Sequence, residues 1–96
     1  DGTVGWGECD ADNPPLMQAF VENGLKQRVV GEPLWDGERL WDRMFYAHHD
    51  HGPGGALAGS ISGIDIALWD LRGRALGLPV CRLLGGQYRD RIPVYG

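Results

Sequence analysis

Basic residues are scarce in this sequence: nine lysines and arginines stand against thirteen acidic residues, for a net charge of −4. No Lys/Arg stripe gathers anywhere along it, which argues against a nucleic-acid partner. Cysteine is nearly absent too. Cys9 and Cys81 are the only two, and neither sits in a paired spacing, so a disulfide framework is excluded and a reducing, cytoplasmic compartment is the default. No apolar run reaches the roughly 18 residues that crossing a bilayer requires, because Asp65, Asp70 and Arg72 interrupt the one long candidate. The chain opens without a charged n-region and apolar h-region. It also contains no internal repeat, no low-complexity tract, no Gly-rich nucleotide fingerprint and no Ser-His-Asp set. It begins at Asp1 and not at methionine, and the expectation is a piece of something longer.

What is present alternates between short extended stretches and amphipathic helices. "TVGWGEC" places Val4, Trp6 and Glu8 on one face of an extended segment with glycines between them, and the "DG" before it is hairpin chemistry. It reads as the return strand of a hairpin whose partner would lie upstream of Asp1. Asn13 is placed to cap a helix that tolerates Pro14 and Pro15 in its first turn, and Leu16 with Phe20 and Met17 with Val21 mark its buried stripe. Asn23-Gly24 is expected to break or kink this helix, and Gly31 to end it. Asp36 reads as the cap of the next helix, which carries Leu40, Trp41, Met44 and Phe45. "AHHDHGPGG" is a loop, Gly77 and Pro79 stop the longest helix, and "RIPVYG" closes the chain as an apparent strand.

That longest helix poses a packing problem. At 100° per residue, Leu57, Ile61, Ile64, Leu68, Leu71 and Ala75 form one apolar stripe, and Gly59, Gly63, Ile66, Asp70 and Gly73 fall on the opposite side. Interior glycines cost a helix up to ~1 kcal/mol each, so their alignment suggests that another element approaches the backbone closely. A chain of 96 residues buries well under ~70% of its unfolded surface. The bulky stripe can pack on the earlier helices, but no partner within the sequence is evident for the small-residue side.

Three groups of residues carry chemical interest. His48, His49 and His51 with Asp50 are ordinary ligands for zinc or another transition metal, although adjacent histidines diverge in most backbones and a solvated polar loop is the commoner fate of such a run. Glu8, Asp10 and Asp12 gather carboxylates at the end of the first extended segment, where loop solvation and helix capping compete with ligand contact. Cys9 and Asp10 are the stronger candidates of that group. Asp65 and Asp70 lie four residues from Trp69 and Arg74 respectively, and a structural role, hydrogen-bonded or paired, is expected of both. Gly85-Gly86 is a helix terminator, too short for a phosphate loop.

Ser62 to Gly85, "SGIDIALWDLRGRALGLPVCRLLG", resembles the signature segment of the mandelate racemase and muconate lactonizing enzyme group within the enolase superfamily. Gly63, Asp65, Ala67, Asp70, Gly73, Arg74, Pro79, Leu83 and Gly85 fall at the family's intervals, and Ser60 stands where alanine is usual. "GWGEC" and "RIPVYG" fall where that family places its last cap-domain strand and its first barrel strand. The order of "GWGEC", "VVGEPLWDGERLWDRMFY", a glycine-containing loop and "SGIDIALWDLRG" is similar to sugar-acid dehydratases and related lactone isomerases.

The resemblance implies an α+β fold: a partial enolase-like N-terminal cap domain over residues 1–88, made of the end of an antiparallel sheet plus a helical bundle, and the first strand of an absent (β/α)8 barrel over residues 89–96. It implies that the small-residue side of the long helix lies against the barrel or a neighbouring subunit. The family abstracts a proton beside a carboxylate with a divalent ion, usually magnesium, on ligands that this sequence does not contain. The expectation is therefore a substrate-capping fragment of a magnesium-dependent, homo-oligomeric, cytoplasmic sugar-acid dehydratase or related enzyme. It would be inactive alone and bind no metal itself, and Cys9 and Asp10 would touch an acid-sugar substrate. The rival is a free-standing helical binding module, metal-binding through His48, His49 and His51.

Overall fold

The computed structural model describes residues 1–10, 13–52 and 54–96, and the side chain of His51 lies outside that description together with Ala11, Asp12 and Pro53. Asn13 caps α1 (Pro14–Phe20): its side-chain oxygen accepts from the Leu16 N–H at 3.3 Å, and the prolines occupy positions where no intrahelical donor is needed. At Asn23-Gly24, where a break or a kink was expected, the helix does not break, but its winding changes. The rod runs instead through a π turn (Val21–Leu25) into α2 (Lys26–Val29), a wider winding that absorbs an extra residue. Met17 and Leu25 are consequently both buried, whereas uniform α-helical winding would set them about 80° apart.

Gly31, at φ +83°, turns the chain out of α2, and a short loop leads to α3 (Gly37–Ala47). Asp36 does not cap α3 with its side chain. Its carbonyl accepts from the Leu40 N–H at 2.9 Å while its carboxylate pairs with Arg39 at 2.9 Å. The loop is pinned at both ends, because Glu32 binds Arg39 and Arg43 of α3 and the Leu34 carbonyl accepts from Arg72 Nε at 2.8 Å. Both arginines hold the Glu32 carboxyl below its ordinary range, the hydrogen bond from Arg43 most of all. A 3-10 turn at His49–His51 precedes α4 (Gly55–Leu76), which ends where Gly77 adopts φ +68° and the Leu78 N–H bonds back to the Gly73 carbonyl at 2.8 Å. A last short helix, α5 (Val80–Leu83), follows.

The core is small. Leu25, Met44, Leu57 and Ile61 are buried together, with Phe20, Val29, Phe45 and Ile64 against them. Each fully buried aliphatic side chain contributes roughly 1.5–3 kcal/mol relative to exposure. The apolar stripe of α4 is thus used chiefly in its first half: Leu57 and Ile61 are sealed, Leu68 and Leu71 half-buried, and Ala75 exposed.

The α+β expectation is corrected in one respect: the described residues contain no β-strand, at either "GWGEC" or "RIPVYG". A strand is defined by a partner's hydrogen-bond ladder, and no described segment offers one. Beyond α5 the chain is almost wholly solvated, with Tyr88 93% and Val94 88% exposed. The radius of gyration, 14.5 Å, exceeds the about 12.5 Å expected of a compact chain of this length, in keeping with the solvated stretch after α5.

Candidate functional site

The small-residue side of α4 has a partner within this chain after all: residues Gly5 to Asp10 run antiparallel along it. The pairing is read from what an added Cβ would meet. At Gly5 it would lie 2.8 Å from the Leu71 backbone N, at Gly7 2.7 Å from the Ala67 N, at Gly63 3.0 Å from the Cys9 N, and at Gly59 3.3 Å from the Asp10 carbonyl oxygen. Backbone therefore meets backbone over three turns of helix. At Gly5, Gly7 and Gly63 glycine is what permits this approach, since a Cβ there would strike the backbone opposite. The expected alternation holds even though no ladder forms: Gly5 and Cys9 face inward and half-buried, while Val4, Trp6 and Glu8 are exposed.

Two polar contacts fasten this ribbon. The Trp6 N–H donates to Asp70 Oδ2 at 2.8 Å, and Arg74 Nε donates to the same oxygen at 2.8 Å. The carboxyl of Asp70 is held below its ordinary range, by the Arg74 hydrogen bond first and the Trp6 N–H second. Further along, the Cys9 thiol donates weakly to the Ser60 carbonyl at 3.9 Å. Ser60 is itself buried, and its hydroxyl donates to the Ala56 carbonyl at 2.7 Å and lies 3.1 Å from Met17 Sδ. Cys9 is thus turned onto α4, and Asp10, exposed, stands where the ribbon leaves the helix. Asp12, grouped with Glu8 and Asp10 by sequence, lies outside the described residues.

Of the histidine cluster, the described side chains of His48 and His49 go to different partners, and that of His51 lies outside the description. His48 packs on the π turn, where a Cβ at Gly24 would lie 2.9 Å from its Nε2. His49 instead points Nδ1 at the Tyr46 carbonyl, 2.8 Å away, and Nε2 at Asp50, 3.2 Å away. Among the described residues no group of three or more His, Cys, Asp or Glu is placed to hold a metal ion. Asp65, expected to be hydrogen-bonded or paired, has no such partner among the described residues; half-buried, it lines a pocket between α3 and α4 together with Trp69. Sequence reasoning missed the seating of the ribbon on α4, although a legible signal existed: small residues at 5 and 7 answer small residues at 59, 63 and 67.

Comparison with known proteins fits this geometry. Residues 1–85 match the model of the mandelate racemase / muconate lactonizing enzyme N-terminal domain. The L-rhamnonate dehydratase of Saccharopolyspora erythraea is 41% identical over 95 residues, covering 99% of this chain and 24% of that enzyme. The D-galactarolactone cycloisomerase of Agrobacterium fabrum is 38% identical over 95 residues, 99% of this chain and 25% of that enzyme. A mandelate racemase/muconate lactonizing protein from Paracoccus denitrificans, solved complexed with magnesium, superposes with a TM-score of 0.91 at 38% identity, over 97% of this chain and 25% of that one. The chain spans about a quarter of the length of the curated relatives it matches. With a family match over nearly its whole length and the same fold in a solved relative, this chain belongs to the mandelate racemase/muconate lactonizing enzyme N-terminal domain family of the enolase superfamily.

Proposed function

We propose that this chain is the capping domain of a magnesium-dependent sugar-acid dehydratase, or of a related lactone-converting enzyme, that abstracts a proton beside a substrate carboxylate. The observation that carries this reading is the match of 95 of its residues to an L-rhamnonate dehydratase at 41% identity. In the proposed enzyme residues 1–88 form the cap and residues 89–96 lead into a barrel. The setting is cytoplasmic and homo-oligomeric, and the substrate is an acid sugar.

The chain's own contribution is positional. The seam between Gly5–Asp10 and α4 fixes one end of the 9–13 loop, so that Cys9 anchors it and Asp10 meets the substrate's polar groups as the cap closes and excludes water. Magnesium, when bound, stabilises the negative charge that develops on the substrate. The described residues do not fit as its site, and the metal and the base belong outside this chain. The rival metal-binding module finds no support in the divergence of His48 and His49.

The test is turnover of aldonic and aldaric acids by the full-length enzyme carrying this chain. Asp10→Ala is expected to lower kcat/KM by about tenfold or more with the fold intact. The isolated 96-residue chain is expected to be inert, and chelator-sensitive turnover by it would contradict the proposal.

A further inference from the structure

Ser60 and Met17 stand apart from the core cluster around Leu25 and Ile61, but both are sealed from solvent, at 0% and 7% exposure. The helix does not need a hydroxyl at position 60. The Ala56 carbonyl, 2.7 Å from Ser60 Oγ, already accepts within the ladder of α4. What the hydroxyl alone supplies is a fixed polar neighbour for the Met17 thioether, whose Sδ lies 3.1 Å away. Methionine is unbranched and has three rotatable bonds, so a contact at its sulfur decides where its terminal methyl comes to rest.

That methyl rests beside Asp10. A Cβ added at Gly59 would lie 2.7 Å from Met17 Cε, 3.3 Å from the Asp10 carbonyl oxygen and 3.6 Å from Asp10 Cβ, so all three atoms converge on one glycine. The contacts of Cys9 with Gly63 and with the Ser60 carbonyl stop one residue short of Asp10. Asp10 itself makes no hydrogen bond among the described residues, and its seat on α4 is set by packing against Gly59 and the Met17 methyl. The Met17 backbone is fixed in turn, its N–H donating to the Asn13 carbonyl at 3.1 Å. On the reading in which Asp10 meets the substrate, we propose that Ser60 and Met17 are its positioning residues: the buried hydroxyl holds the thioether, and the thioether's methyl holds Asp10 in place on α4.

The experiment is a double-mutant cycle in the full-length enzyme, with the aldonic or aldaric acid it turns over fastest as substrate. Ser60→Ala is expected to lower kcat/KM about three- to tenfold, in whichever of kcat and KM Asp10→Ala moves, with the melting temperature nearly unchanged. Met17→Leu, which conserves volume and removes the sulfur, is expected to do the same. In an Asp10→Ala background neither substitution should cost anything further, because each acts through Asp10; a merely structural role would give the same loss in both backgrounds. Equal losses with and without Asp10 overturn the positioning role. So do Ser60→Ala and Met17→Leu variants that keep full kcat/KM while Asp10→Ala loses it, and the capping reading then stands. Unchanged turnover in Asp10→Ala, or turnover of none of these acids, overturns the capping reading and the positioning role with it.

Discussion

Ile61 and Gly63 sit two positions apart on α4 and are both buried, but by opposite means. Ile61 is hidden by volume, since Leu25, Met44 and Leu57 fill the space around it. Gly63 is hidden by the absence of volume, which lets the backbone at Cys9 settle onto the helix. The first arrangement gains from apolar area removed from water and tolerates a change of shape better than a loss of size. The second gains little from area and, at Gly63, leaves no room for an added methyl. One helix thus serves as a wall of the core and as a track for a ribbon.

Substitutions should separate the two sides. The largest effect is expected from Ile61→Ala, which opens a cavity in the sealed core and should cost about 2–5 kcal/mol in urea denaturation. Gly63→Ala is more diagnostic because helix propensity alone would favour it by up to ~1 kcal/mol. The added methyl would strike Cys9, so a net loss of about 1–3 kcal/mol is expected, together with faster amide exchange confined to residues 5–10. Gly59→Ala sharpens the comparison: its Cβ would meet mainly the flexible tip of Met17, 2.7 Å away, and a change near zero is expected. If Gly63→Ala proved as neutral as Gly59→Ala, the ribbon would not be seated as described.

Acid should loosen the ribbon before it disturbs the core. The folded Asp70 carboxyl titrates below the ordinary 3.8, so its contribution is complete above that value and is lost as pH falls through the lower folded one. Trp6 fluorescence should change in that window, and the transition should disappear in Asp70→Asn. The smallest effect is expected at the surface. Lys26 and Glu22 pair at 3.0 Å with both side chains more than half exposed, and Lys26→Ala should cost no more than about 0.5 kcal/mol, measured by thermal unfolding.

The sequence made the helices legible because their signals are local. Asn13 before two prolines, Gly77 before Pro79, and the apolar spacing from Leu57 to Ile64 each act within a turn or two of themselves. The seam was half legible. Glycines aligned on α4 announced that something approaches, but matching them to Gly5 and Gly7 needs a pairing across more than fifty residues that no local periodicity encodes. Asp36 shows a different limit, since a good capping residue was captured by Arg39 instead. The pocket's acids were visible singly, and only the crossing of α3 and α4 brings Asp65 and Glu38 to one opening.

The π turn at Val21–Leu25 bears on how this segment can change length. Removing a single amino acid there, Asn23 for instance, would let the coil tighten to its usual pitch while Met17 and Leu25 kept their orientation toward the interior. The same deletion in α3, between Leu40 and Met44, would rotate one away from the other's side of that helix. Indels should therefore be tolerated at the one place where the winding already holds slack.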